Sequence, residues 1–445
     1  MFGQTGDHFR RQLGRLSGRI DPVSRGWVVV MGGNVGRMAL GFIASILIAR
    51  ALGPAAFGVY AVLGASIAIV GVVADLGLTV TTVSRLSTVW PDEPSIAHIR
   101  GRVASWLRIA AALFFFLLTA ALAVPITNQV LGLSHVPNGP QLFLLAMAGM
   151  VAVALSGAVS TILQATNHFG RLSSMSLVNA GLTTILALIL AAMGRLNLIT
   201  ALVVLGVGTA LASFLVGYRL LPGRWALWQP PAIGNLRLEG SALFRFSRWL
   251  WLAGLFTVLI MQLDVVLVGR LTTAVAAGMY GLALNVARKA DVVNHSLYTA
   301  LLPAASSLDN PAAIRKYLRQ SLMRSGLIAL VLLALIPLAD PFIRIFYGPE
   351  YAPAADLLQL LLIVVMVDAF ALPFILLVFP LERPKLYAAS TALQVAFLVL
   401  LAAWLIPTIG PSGAAVAKII ARLAGLVLVI WRLRVWRLAM GDGGT

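Results

Sequence analysis

The sequence predicts an all-α polytopic membrane protein with twelve transmembrane helices in two six-helix bundles related by a pseudo-two-fold axis. Hydrophobic residues fill 60% of its 445 positions and charged residues only 11%, whereas soluble domains carry roughly a quarter charged residues. Twelve apolar runs are long enough to span a bilayer, and one motif recurs in both halves of the chain. The high hydrophobicity excludes a disordered chain, and the absence of cysteine excludes a disulfide scaffold.

Residues 1–25 are predicted to be a cytoplasmic basic segment. They contain several arginines but lack the apolar core and small-residue cleavage site of a signal peptide. Four apolar residues from Phe9 to Ile20 share one helical face, and three arginines from Arg11 to Arg19 share another. Two interpretations remain open: a basic helix on the inner membrane surface, or a disordered basic tail.

The N-terminal bundle is predicted over 26–221 and the C-terminal bundle over 248–436, because a transmembrane helix needs about 20 apolar residues. The six predicted spans of the first bundle are 26–49, 57–83, 103–126, 140–164, 173–193 and 197–221. Those of the second are 248–269, 275–303, 322–345, 354–380, 385–406 and 412–432. The stretch 222–247 is predicted to be a cytoplasmic linker and 437–445 a cytoplasmic tail.

The basic residues orient these spans. With both termini in the cytoplasm, four of the 33 Lys and Arg lie in outer loops and five lie inside spans, which leaves 24 on the inner side. Such an excess is what the positive-inside rule predicts. The net charge of +18 therefore reflects membrane topology and does not indicate a nucleic-acid partner.

A short repeat follows the first span of each half, where the sequences are "ARALGPAAFGVYA" and "GRLTTAVAAGMYG". The aligned pairs are Arg50 with Arg270, Gly58 with Gly278 and Tyr60 with Tyr280. An even number of spans per half makes this a parallel repeat, with its axis along the membrane normal. We expect the glycines to permit a tight turn and close helix contact, and the tyrosines to anchor the chain at the membrane interface.

Nine ionisable residues fall inside the predicted spans. A charge at the bilayer centre costs about 2.5–3.5 kcal/mol on the insertion scale, so such groups are functional candidates. The nine are Arg37, Asp75, Asp264, Arg288, Lys289, Asp291, Asp368, Lys418 and Arg422.

The five cations of this set are predicted to bind an anion such as a phosphate group. Arg37 lies near the middle of the first helix and Arg288 near the middle of the eighth, so the two can face one central cavity from different bundles. A guanidinium suits bidentate phosphate contact and keeps its charge. Lys289 widens the polar face beside Arg288, and Lys418 and Arg422 share a face at i, i+4. Because these two cations repel each other, they need an acid elsewhere or an anionic ligand.

The four acids have two possible roles, ion coupling or charge pairing with a neighbouring cation. Coupling would use H⁺ or Na⁺. Asp291 follows Arg288 at i+3, so we expect a local pair there, and Asp368 is a candidate partner for the cations of the twelfth span. Asp75 and Asp264 are expected to pair structurally.

No catalytic residue, cofactor or metal site is predicted. The chain has no HExxH or P-loop motif, and its outer loops are too short for a catalytic domain. The sequence therefore argues against an enzyme, including a membrane-bound polysaccharide polymerase or ligase, and buried charges argue against a purely structural membrane component.

Several motifs resemble the polysaccharide (O-antigen, Wzx-type) flippases of the MATE-like MOP superfamily. They are "IARALGPAAFGVYAV", "DVVLVGRLTTAVAAGMYGLA", "IFYGPEYAPAADLLQLL" and "IPTIGPSGAAVAKIIARL". The resemblance implies two six-helix bundles around a central cavity that flip an undecaprenyl-pyrophosphate-linked oligosaccharide across the bacterial inner membrane. It also implies cationic cavity residues, a role that Arg37 and Arg288 match. Twelve spans argue against the related lipid II flippases, which usually have fourteen.

The partners that this resemblance implies are the lipid-linked oligosaccharide, membrane lipids, and the polymerase and glycosyltransferases of the same pathway. We expect a monomer that binds no nucleic acid. The alternative function is a MATE-like exporter of drugs or small molecules driven by an ion gradient. An exporter of cations favours acidic cavities, whereas this sequence offers arginines.

Overall fold

The computed structural model describes residues 22–433, except 223, 224, 226, 228, 307, 309, 379 and 382. Within this part the secondary structure is entirely helical. Most of the predicted basic N-terminal segment and the predicted tail 437–445 lie outside the described residues.

Six long helical elements form the first half of the chain. They are α1 (Pro22–Asp75), α2 (Leu78–Ser87), α3 (Pro94–Ala121), α4 (Gly139–Ala165), α5 (Phe169–Ala192) and α6 (Leu198–Arg219). Gly53 bends α1 because its φ of +68° is open to glycine but strained for other residues, and Pro54 then begins the next helical stretch. A π-helical turn, Ile126–Val130, lies between α3 and α4.

The described part of the second half contains eight α-helices. They are α7 (Ile233–Leu271), α8 (Ala274–Ala290), α9 (Val292–Ser306), α10 (Pro311–Leu335), α11 (Ala339–Phe346), α12 (Ala354–Leu376), α13 (Pro384–Ile409) and α14 (Pro411–Leu433). The Thr273 hydroxyl caps α8 by accepting the Ala276 N–H. α7 begins well inside the stretch that the sequence predicts as a linker.

The chain is a multi-pass membrane protein, since ten of its described helical segments are long and apolar enough to cross a bilayer. One of the ten, Gly32–Asp75, is 44 residues long and contains the bend at Gly53. α8 and α9 have 17 and 15 residues and are each too short to span alone.

The two halves meet in backbone contact where α1 crosses α8. A Cβ atom on Gly58 would overlap the Ala274 carbonyl oxygen and approach the Gly278 nitrogen, and one on Gly278 would overlap the Pro54 carbonyl. The two glycines aligned by the sequence repeat therefore face each other in space. Close approach of this kind requires residues without side chains.

The paired arginines of the repeat also cross between the halves. Arg50 Nη2 donates to the Ile345 carbonyl at 2.6 Å, and Arg270 Nη1 donates to the Asn128 carbonyl at 3.2 Å. Arg50 lies just before the bend in α1 and bonds to α11 of the other half. Arg270 lies near the end of α7 and bonds to the turn between α3 and α4 of the other half. We call the region around Gly53 and Thr273 the Gly53 end. The glycine contact and the two arginine hydrogen bonds hold the two halves together there and so close this end.

Part of the predicted linker is attached to the first half. Trp225 is buried against Gly101 and lies edge-to-face with His98, with ring centroids 4.4 Å apart. Trp106 Nε1 donates to the Leu227 carbonyl at 2.9 Å. Trp225 and Leu227 therefore pack with α3.

Candidate functional site

A cavity of about 280 Å³ lies between the halves, next to the Gly53 end. Two glycines in the lining, Gly64 and Gly149, leave this space open, since a Cβ at either would meet no atom closer than 3.9 Å. We call it the central cavity. Among the described residues of its lining, the polar side chains are those of Tyr60, Gln262, Asn285 and Arg288, and none is acidic.

Arg288 reaches the central cavity from α8. Its Nη2 donates to the Met261 carbonyl and, at 2.9 Å, to Gln262 Oε1, both on α7. The expected local pair with Asp291 is not formed. The helix breaks at Asp291, whose carboxylate instead accepts the Asn294 amide at 2.8 Å.

Lys289 is not among the described residues that line the central cavity. Its Nζ donates to Asn285 Oδ1 and lies 5.7 Å from the centroid of the Phe42 ring, a cation–π distance. Asn285 itself lines the cavity, so Lys289 acts on that surface through the amide.

Asp264 is fully buried at the junction of α7, α8 and α14. Its Oδ2 accepts hydrogen bonds from Tyr280 Oη at 2.7 Å and from Lys418 Nζ at 2.6 Å. The expectation that Tyr280 anchors the membrane interface is wrong, because its side chain is fully buried against this carboxylate. No lysine or arginine lies within one helical turn of Asp264 in the sequence, so its partner is identified only from the folded structure.

Four of the predicted residues gather with Arg288 around a small cavity in the second half. These four are Asp291, Asp368, Lys418 and Arg422. Arg422 Nε lies 3.2 Å from Asp368 Oδ1, and its Nη1 donates to Gln394 Oε1 at 3.0 Å. Lys418 and Arg422 on α14 thus each face an acid from another helix.

Asp75 stands apart from this group, in the first half. Its Oδ1 lies 3.2 Å from Arg108 Nη2 and accepts the Thr79 hydroxyl at 2.6 Å. Arg108 also donates to Thr161 Oγ1 at 3.1 Å, and together with Asp75 it lines a mostly apolar cavity of about 390 Å³. Arg108 lies within the apolar run 103–126, so it is an intramembrane cation that the nine residues singled out above do not include.

Arg37 is not among the residues that line the central cavity. Its side chain is exposed on α1 and makes no hydrogen bond or ion pair within the described part of the chain. Within the same part, no three His, Cys, Asp or Glu residues are grouped to hold a metal ion.

Asp264→Asn should destabilise the protein by about 3–5 kcal/mol, because it leaves the Lys418 ammonium buried without a counter-charge. The double variant Asp264→Asn/Lys418→Met should recover much of this loss, since neither charge is then buried. Thermal unfolding in detergent checks the comparison. Equal stability of Asp264→Asn and wild type would contradict the assigned pair.

The fold resembles those of solved transporters. The lipid II flippase MurJ in an inward closed conformation aligns with a TM-score of 0.73 at 13% identity, over 93% of this chain and 90% of that chain. An inward-facing multidrug resistance MATE family transporter of the MOP superfamily gives 0.69 at 14% identity, over 91% and 96%. A MOP superfamily transporter from Pyrococcus furiosus, described as having reverse polarity of its binding pocket, gives 0.54 at 14%, over 94% and 97%.

A protein-family model matches the chain over a long range, although no single curated sequence does. The family model described as polysaccharide biosynthesis protein matches residues 47–356, more than half of the chain. This range includes both copies of the repeat and the polar lining of the central cavity. The chain belongs to the polysaccharide biosynthesis protein family.

Proposed function

We propose that the protein is a flippase that moves an undecaprenyl-pyrophosphate-linked oligosaccharide across the bacterial inner membrane, for synthesis of an O-antigen or similar polysaccharide. The observation that carries this proposal is Arg288, which lines a cavity between the halves that contains amide groups and no acid. Such a lining suits a pyrophosphate. The family match and the likeness to a flippase fold support the same function.

We further propose twelve membrane spans in two six-helix bundles, 26–221 and 248–436, joined by the linker 222–247. The ten apolar segments become twelve when α1 is divided at Gly53 and when α8 and α9 are joined as one broken span. Both termini would then lie in the cytoplasm, and the Gly53 end would face the outer side. The contacts that close this end support a conformation accessible from the inner side.

Transport would proceed by alternating access. Arg288 would hold the pyrophosphate while the sugar occupies the cavity and the lipid tail stays in the bilayer. Arg37, which is exposed and unengaged in the described structure, would supply a second contact as the substrate moves. Lys418 and Arg422 are engaged by Asp264 and Asp368, so we assign them the role of holding α14 against α7 and α12.

A MATE-like exporter of small molecules is the second candidate, since its fold is also shared. The two functions predict different phenotypes in the bacterium that carries the gene. Deletion should remove a surface polysaccharide and cause its lipid-linked unit to accumulate, without raising sensitivity to cationic dyes. Dye sensitivity with normal polysaccharide would favour the exporter and overturn the proposed function.

A further inference from the structure

We propose that Gln262 and Asn285 determine the specificity of the central cavity, by making its polar side chains hydrogen-bond donors that select an anionic, acceptor-rich group such as a diphosphate. This inference deepens the proposed function and rests on it for the identity of the natural substrate. The binding experiment with inorganic diphosphate does not depend on the proposed function.

Gln262 is oriented by Arg288. The guanidinium carries N–H donors and no acceptor, so the group that it contacts at 2.9 Å has to be the amide oxygen. The Gln262 oxygen is therefore held by the cation, and its NH₂ group, with two donors, points away from Arg288. Gln262 lines the central cavity, where those donors can meet a ligand.

Asn285 is oriented by the same logic from the other side. Lys289 Nζ donates to its Oδ1, and an ammonium group has no acceptor either. Its NH₂ group is left for the cavity. Two cations on consecutive positions of α8 thus fix two amides, one on α7 and one on α8, with their nitrogen atoms as the free groups.

The rest of the lining gives a ligand few acceptors. Apart from Gln262, Asn285 and Arg288, the lining side chains are apolar, absent at glycines, or the Tyr60 hydroxyl. The two amide oxygens are already engaged by cations. A diphosphate would meet charge-assisted donors, whereas a cationic compound would meet like charge and unmatched donors.

Isosteric acids reverse this polarity without changing shape. Gln262→Glu and Asn285→Asp each replace an NH₂ donor by a carboxylate oxygen while keeping the oxygen that Arg288 or Lys289 contacts. In the purified full-length protein, each should raise the Kd for inorganic diphosphate by about tenfold or more and lower the Kd for tetraphenylphosphonium. Isothermal titration measures both ligands, and thermal unfolding confirms that the variants fold.

Two controls separate donor polarity from charge alone. Gln394→Glu places the same acid beside Arg422, outside the central cavity, and should leave the diphosphate Kd unchanged. Gln262→Met removes the donors without adding charge and should still weaken diphosphate binding. If Gln262→Met binds diphosphate as wild type does, donor selection is wrong and net charge alone explains the site.

The outcomes also distinguish the inference from the proposed function. Wild-type diphosphate affinity in both acid variants, or no diphosphate binding by the wild type, overturns the inference whether or not the protein flips lipids. The expected weakening, in a protein that does not translocate a lipid-linked oligosaccharide, supports the inference and overturns the proposed function.

Discussion

Arg288→Ala should abolish polysaccharide export in a protein that still folds and inserts. Among the described residues that line the central cavity, Arg288 is the only one with a charged side chain, so its loss removes the charged hydrogen bonds that hold a pyrophosphate. Such bonds contribute about 1.5–3 kcal/mol each, and two of them correspond to a loss of about 100-fold or more in transport. Arg288→Lys should retain partial activity, because lysine keeps the charge but not the planar fork.

Export of surface polysaccharide in a deletion strain complemented with each variant checks this prediction. Arg344→Ala is a suitable control, since Arg344 is exposed on α11 and forms an i, i+4 pair with Asp340 outside the cavity. It should export as wild type does. Normal export by both Arg37→Ala and Arg288→Ala, at normal protein levels, would contradict the assignment of a cationic cavity.

Gly58→Ala or Gly278→Ala should open the Gly53 end and stop the transport cycle. A single methyl group at either position would overlap a backbone carbonyl of the facing helix, which cannot move without separating α1 from α8. Gly41→Ala is the matched control on α1, because a Cβ there meets no atom within 4 Å. The gain in helix propensity, about 0.5–1 kcal/mol, is common to these substitutions, so any difference reports the contact.

Cysteine accessibility measures this opening, since the chain has no native cysteine. Ala277→Cys places a thiol at a position only 1% exposed, beside Gly278. An impermeant maleimide added outside should label it slowly in the wild-type background and in Gly41→Ala, and much faster with Gly58→Ala. Equal labelling in all backgrounds would show that the glycine contact does not close this end.

Local sequence features predict the helices and the repeat well. Apolar runs mark spans because each backbone polar group in lipid must be satisfied within its own helix. Gly58 and Gly278 are found by aligning the two halves, and the structure brings them into contact where α1 crosses α8. Helix ends are less accurate: α3 begins at Pro94, ahead of the apolar run at 103, since polar residues extend the helix beyond the apolar stretch.

The partners within the site depend on tertiary packing and are not found by spacing. Asp264 and Lys418 are 154 positions apart in the sequence. The sequence does not distinguish a Tyr280 hydroxyl at the membrane interface from one bonded to a buried carboxylate, as it is here. Gln262 and Asn285 are neutral, so a search for intramembrane charges passes over them. Arg108 does carry a sequence signal, because it is a cation inside an apolar run, as Arg37 and Arg288 are.

Reconstituted translocation tests directly whether the protein carries a lipid-linked oligosaccharide through the central cavity. Purified protein in proteoliposomes, given an undecaprenyl-pyrophosphate-linked oligosaccharide, should make the sugar accessible on the opposite face to an impermeant glycosidase or lectin. Arg288→Ala should reduce this to the rate of protein-free liposomes, and Arg344→Ala should not. Translocation at the wild-type rate by Arg288→Ala, or no translocation by the wild type, would contradict a flippase that carries its substrate through the central cavity.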